Sequence, residues 1–214
     1  MAGCLRPLLP PDGPALVVGL GNRAVPPDLI GPLAVDHLLV TRHLVEQVPE
    51  HFGHMRPVAA AAPGVLASTG VESSLTARAL VGALRPACVI AVDALASRSL
   101  DRLCRTVQLS DAGVVPGSGV GNHRDALDRD SLGVPVFTVG VPTVVDGATL
   151  ALDLLERAGM DPPDRSELPV GADFFVTPRE VDVRVADLGK LLGYAVSMAL
   201  NPSLGVEELT MLLE

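Results

Sequence analysis

Short apolar runs alternate with segments of helical period along this chain. Residues 15–20 (ALVVGL), 56–63 (RPVAAAAP), 87–93 (ACVIAVD) and 134–142 (VPVFTVGVP) are apolar stretches flanked by glycine, proline or charge, the pattern of strands buried on both faces. Residues 105–111 (RTVQLSD) alternate weakly and form a fifth candidate strand. Helical patterns lie between them. One covers 32–47 with Pro32 at its first position, and one covers 71–85 with Leu75, Ala79, Leu80 and Leu84 on one face. Two more cover 144–159 and, after Pro178, the long amphipathic stretch 177–201. This alternation predicts a layered α/β domain with a mostly parallel central sheet. Its length of 214 residues suits one sizeable domain, placed at 15–214 behind a short N-terminal segment, 1–14. Two stretches resist the alternation: the glycine-rich loop 111–133 and the proline-rich connection 160–175. Long loops in compact domains are often functional.

Composition narrows the partners. Hydrophobic residues make up 48% of the chain and aromatics only 2%, so the core is built from Val, Leu and Ala, and base stacking on single-stranded nucleic acid is disfavoured. The net charge of −9 makes a phosphate backbone a poor partner and a basic protein or peptide a better one. Cys4, Cys88 and Cys104 show no CxxC spacing, which argues against a disulfide framework or a zinc site. The N-terminus lacks the long apolar stretch of a signal peptide, and no apolar segment is long enough for a clear membrane span. A soluble cytoplasmic protein is expected.

The segment ALVVGLGNRAVPPDLIGP (15–32) poses the functional question. GLGNRA formally fits the dinucleotide fingerprint G-x-G-x-x-G/A, but that motif needs a helix opening inside it and an acidic residue at the end of the second strand. Here Pro26 and Pro27 follow at once, the helix start falls near Gly31-Pro32, and the second strand ends AAAAPG without a carboxylate. Instead, the glycines permit a tight turn that delivers Asp28 ahead of a helix. Asp93 ends the apolar run ACVIAVD, so two parallel strands would bring both carboxylates to one edge of the sheet, where open α/β sheets bind ligands. Neighbouring carboxylates repel, one keeps a proton near neutrality, and the pair then holds both the base and the acid of peptide hydrolysis. The competing readings are structural: Asp28 as a helix cap, and Asp93 as a strand-end cap or ion-pair partner of Arg98. Asp146 follows another strand end and either supports the site or favours a helix dipole. The GSG around Ser118 lacks the flanking pattern of a nucleophile elbow.

These residues closely resemble the germination protease family of spore-forming bacteria. The resemblance rests on VVGLGN…VPPDLIGPLAVDHLLVTRHL, APGVLASTGVESS, VIAVDALASRSLDRL, LSDAGVVPGSGVGNHRDALDRDSLGVPVFTVGVPTVVD and DFFVTPREVD, from about Leu16 to about Leu204. The glycine turn and the acidic positions are more distantly similar to hydrogenase maturation endopeptidases. The resemblance implies a three-layer α/β/α fold and an endopeptidase that degrades small acid-soluble spore proteins during germination, in the forespore or spore core. It also implies a zymogen matured by removal of an N-terminal propeptide, and a homo-oligomer, a tetramer in the family. No cofactor, nucleic acid or membrane is implied. The family's Pro-Asp-x-x-Gly-Pro and Asp-Ala-Leu-Ala motifs place its two catalytic aspartates on Asp28 and Asp93. On this reading donors from the glycine turn (Gly19, Gly21, Asn22) or the GSGVGN loop (Ser118, Gly119, Asn122) steady the oxyanion. Only about a dozen residues precede the glycine turn here, where full-length members carry a substantial region. The alternatives are an inactive short paralogue serving as a spore or assembly protein, and a metal-binding maturation-type endopeptidase holding a metal through Asp28, Asp93 and His123.

Overall fold

The computed structural model of the protein describes residues 1–117, 124–168 and 174–213. Among these residues six strands form one sheet: β1 (Ala15–Gly19), β2 (Val58–Ala61), β3 (Cys88–Ser97), β4 (Gln108–Ser110), β5 (Val136–Asp146) and β6 (Phe175–Val176). The spatial order is β2-β1-β3-β5-β4, with β6 pairing the end of β5. β2, β1, β3 and β5 are parallel, whereas β4 and β6 run antiparallel to β5. All five residues of β1 and the first six of β3 are buried. Both faces of these strands are covered, and their apolar runs therefore lack alternation.

On one face, the helix Ile30–Asp36 and the long helix Val181–Leu200 pack through Ile30, Ala34, Val185, Leu192 and Val196 onto Val17, Ile90, Val92 and Val139. Leu5 and Leu9 of the N-terminal segment are buried in the same cluster. On the other face, the helix Ser73–Leu84 and the short turn Arg129–Leu132 cover Leu16, Val18, Val89 and Ala91. The fold is thus α/β in three layers with a mostly parallel sheet, as expected.

Several boundaries differ from expectation. The helical pattern 32–47 is two helices, Ile30–Asp36 and Arg42–Gln47. Between them the chain turns its polar groups to distant partners: Leu39 N–H donates to Ser197 Oγ at 3.0 Å, and Thr41 Oγ1 accepts from Val58 N–H at 3.0 Å. The helix Ser73–Leu84 buries Ser73, Ser74, Ala77 and Val81 rather than the expected face; Leu75 and Ala79 are exposed, and Leu80 and Leu84 only flank the core. Small residues there meet the sheet. β5 runs through Pro142 to Asp146, because a register shift opposite Leu95/Ala96 accommodates the proline. Asp93 does not end its strand; it is the sixth of the ten residues of β3. Among the elements without a clear pattern are the two-residue β6, at the end of the proline-rich connection, and a C-terminal helix, Val206–Leu213.

Candidate active site

The order of the strands locates the site. From β1 the chain crosses to β2 on one side, and β3 lies on the other, so the connections diverge at the carboxyl ends of β1 and β3. Such a switch point opens a crevice above the sheet. β1 pairs β3 only as far as Gly19 opposite Val92, and Leu20 N–H closes the ladder on Val92 C=O at 2.8 Å. Asp93 is therefore the first residue of β3 with no β1 neighbour, which is why a mid-strand carboxylate still stands at an edge. A cleft of about 1200 Å³ opens there and is lined by both Asp28 and Asp93.

Two glycines bring Asp28 to that edge. Gly31 sits in the helix Ile30–Asp36, and a Cβ on it would collide with backbone atoms of Leu20 and Val92. The helix thus lies directly on the ends of β1 and the β3 run preceding Asp93. Gly21 has φ +129°, outside the range of L side chains, and a Cβ there would collide with the Asp28 carbonyl oxygen. The second glycine of the turn is needed for a close approach to Asp28, not for a pyrophosphate. Gly19 lies equally close to Gly31. Asn22 N–H donates to Asp28 Oδ2 at 2.8 Å, and Asn22 Oδ1 accepts from Ala24 N–H at 2.9 Å, which holds the turn. Asp28 is the last residue of a 3₁₀ turn, Pro26–Asp28, and does not cap the following helix, whose N-cap Leu29 has no side-chain bond.

We expect Gly21→Ala to reduce turnover at least ten-fold through the displaced Asp28, while a circular-dichroism melt shows a cooperative fold retained, since the strain is confined to the one turn that follows β1. Unchanged turnover would mean that the turn does not set the position of Asp28.

Electrostatics separates the two carboxyls. Asp93 is only 5% exposed, and burial, reinforced by the charge of Asp28, pushes it up to about 7. Its one hydrogen bond among the described residues is from the adjacent Ala94 N–H to Oδ1, at 2.9 Å. Asp28 is half-buried; burial raises it, and the Asn22 N–H opposes the rise. Near neutrality the buried pair therefore holds one proton, and Asp93 is the member that burial favours to keep it. Arg124, which sequence pattern passed over, lines the same cleft, and its positive charge draws both carboxyls down. Its position within the glycine-rich loop 111–133 left no periodic signal to find it.

Asp146 lines the cleft too but is differently engaged. It is the N-cap of the helix Gly147–Arg157, accepting from Thr149 N–H and Thr149 Oγ1 at 2.9 Å each, and it pairs with Arg165 at 3.0 Å. Burial opposes its charge, but these partners outweigh burial and hold the carboxyl below its ordinary range. It is a capping anion rather than a third proton carrier. Ser118, Gly119, Asn122 and His123 lie outside the described residues. Among the described residues, no group of three or more His, Cys, Asp or Glu is arranged to hold a metal, and no helix is long and apolar enough to cross a membrane.

The family model described as germination protease matches residues 9–157, a span that includes both aspartates. The germination protease of Clostridium perfringens (strain SM101) is 41% identical over 94% of this chain and 70% of its own length. The chain belongs to the germination protease family. That of Caldanaerobacter subterraneus is 40% identical over the same shares, and that of Bacillus licheniformis is 47% identical over 78% of this chain and 48% of its own length. Among solved structures, a NiFe hydrogenase maturation protease from Thermococcus kodakarensis matches 90% of this chain and 98% of its own, with a TM-score of 0.47 and 15% identity. Membership makes the protein a peptidase, a hydrolase acting on protein, of the spore germination system.

Proposed function

We propose that the protein is an aspartic-type endopeptidase that degrades small acid-soluble spore proteins during germination, with Asp28 and Asp93 as its catalytic pair. The observation that carries this reading is the convergence of two partly or fully buried carboxyls, one of them pushed up to about 7 by burial, at the edge where β1 stops and β3 continues. Ionised Asp28 takes a proton from water as the oxygen attacks the peptide carbonyl carbon. Asp93 gives its proton to the carbonyl oxygen, and a gem-diol forms. Asp28 then passes its proton to the leaving nitrogen while a gem-diol hydroxyl returns one to Asp93, which restores the starting state with one water consumed. Arg124 favours the ionised form of the pair and so keeps a base available.

The test is cleavage of a purified small acid-soluble spore protein by wild type, Asp28→Asn and Asp93→Asn, each with and without a chelator. Cleavage by wild type alone, insensitive to chelator, is expected. Loss of wild-type activity on chelation would favour the metal-held alternative through His123. Retained cleavage in either Asn variant would remove that aspartate from the chemistry.

A further inference from the structure

β3 outruns β1 by five residues on the cleft side. The β1–β3 ladder stops at Gly19 opposite Val92, where Gly21 turns the chain off the sheet. β3 continues to Ser97, and over Asp93–Ser97 its strand partner among the described residues is β5, from Asp93 opposite Gly140 to Ser97 opposite Val145. Backbone polar groups alternate between the two edges of a strand. Val92 C=O accepts from Leu20 N–H, so it faces the β1 lane, and the polar groups of Ala94 and Ala96 face the same lane two and four residues on. Ala94 N–H is met by the Asp93 carboxylate. Ala94 C=O and both groups of Ala96 then point along the lane, and no described strand pairs with them.

This lane is part of the cleft. Ala94, Ala96 and Ser97 line it with small side chains, and Pro27, Asp28 and Val65 line it as well. Neighbouring strands lie about 4.8 Å apart, so a chain laid beside β3 fills the place that β1 leaves, in the cleft that both carboxyls line.

We infer that the substrate is bound as an extended strand added to the open edge of β3 at Ala94–Ser97, and that the substrate class is polypeptide free of stable secondary structure at the bond cleaved. Main-chain pairing of this kind holds a peptide largely independently of its side chains. It also orients the scissile carbonyl, because the register that satisfies Ala94 and Ala96 fixes which peptide unit lies over Asp93. The inference rests on the peptidase reading above.

An N-methyl scan tests it. A peptide spanning a bond cleaved in a small acid-soluble spore protein is made with one backbone N-methyl at a time, leaving out the scissile amide and its neighbours. Strand pairing predicts a period of two: methylation at alternate positions on one side of the bond lowers kcat/KM about ten-fold or more, and the positions between are tolerated. Ala96→Pro tests the same edge from the protein side. It removes an N–H that faces the lane and no donor of the β3–β5 ladder, and its ring stands where the substrate strand would pair, so KM rises for the unmethylated peptide while the melting temperature holds. A cleaved parent peptide with a flat or non-alternating scan would overturn the strand mode and leave the peptidase reading standing. A parent peptide and intact spore protein both left uncut would overturn the two together. If Ala96→Pro fails to fold, the peptide scan alone decides.

Discussion

Asp93→Asn is expected to lower kcat by about three orders of magnitude with KM little changed, and Asp28→Asn by a similar factor. The size follows from the role: a positioned proton donor or acceptor supplies about 10²- to 10⁴-fold, and an amide can do neither job. Asparagine matches aspartate in volume and keeps an oxygen to accept from Ala94 N–H at position 93, or from Asn22 N–H at position 28. Packing and substrate binding should therefore survive, and the loss should fall on kcat. The pair acts as one unit, so the double variant should be scarcely worse than either single one. Steady-state kinetics on the four proteins, with melting temperatures as the folding control, checks this. Fully multiplicative losses would mean that the two carboxyls act independently, and a drop below ten-fold in either single variant would place that residue outside the chemistry.

The parts of this site that were legible in the chain are those with local causes. ALVVG and CVIAV are uniformly apolar because both faces of β1 and β3 are covered, and that put Asp28 and Asp93, which follow them, near the same sheet edge. The consecutive prolines 26 and 27 ruled out a helix starting in the glycine turn, and the chain indeed makes only a 3₁₀ turn there. What stayed hidden depends on distant partners. Nothing in DHLLVTRH announces a break, because its bonds are made to Ser197 and Val58. The extension of β3 beyond Asp93 was equally obscure: ALAS carries no strand propensity of its own and is held by β5, which itself passes through a proline. That extension changes the meaning of Asp93 from the end of a strand to the point where one neighbour is lost. Asp146 shows the converse. Its position after an apolar run resembled that of Asp93, yet Thr149 and Arg165 give it ordinary structural employment.

The same Asp93→Asn substitution should make the protein more stable at alkaline pH. Burial, which disfavours its charge, pushes Asp93 in the fold from the ordinary 3.8 up to about 7. An acid with a raised folded pKa stabilises the fold fully below the unfolded value and loses that contribution as pH climbs through the folded value. Between about pH 4 and 7 the unfolded chain has already released this proton while the native state retains it, so stability falls with rising pH. Above pH 7 the native state carries a buried charge beside Asp28, at a cost on the order of 4 kcal/mol by the conversion of about 1.4 kcal/mol per pKa unit. Asparagine removes that burden. Melting curves should therefore coincide near pH 4 and separate as pH rises, with the variant about 5 °C or more higher near pH 8, given about 2–4 °C per kcal/mol for a chain of this size. A gap that is absent near pH 8, or that is the same at both ends, would mean that Asp93 is not held protonated by the fold. If the gap opens as expected, the carboxyl that turnover needs is one that the folded protein tolerates poorly at high pH. Its retention would then be explained by chemistry rather than by packing.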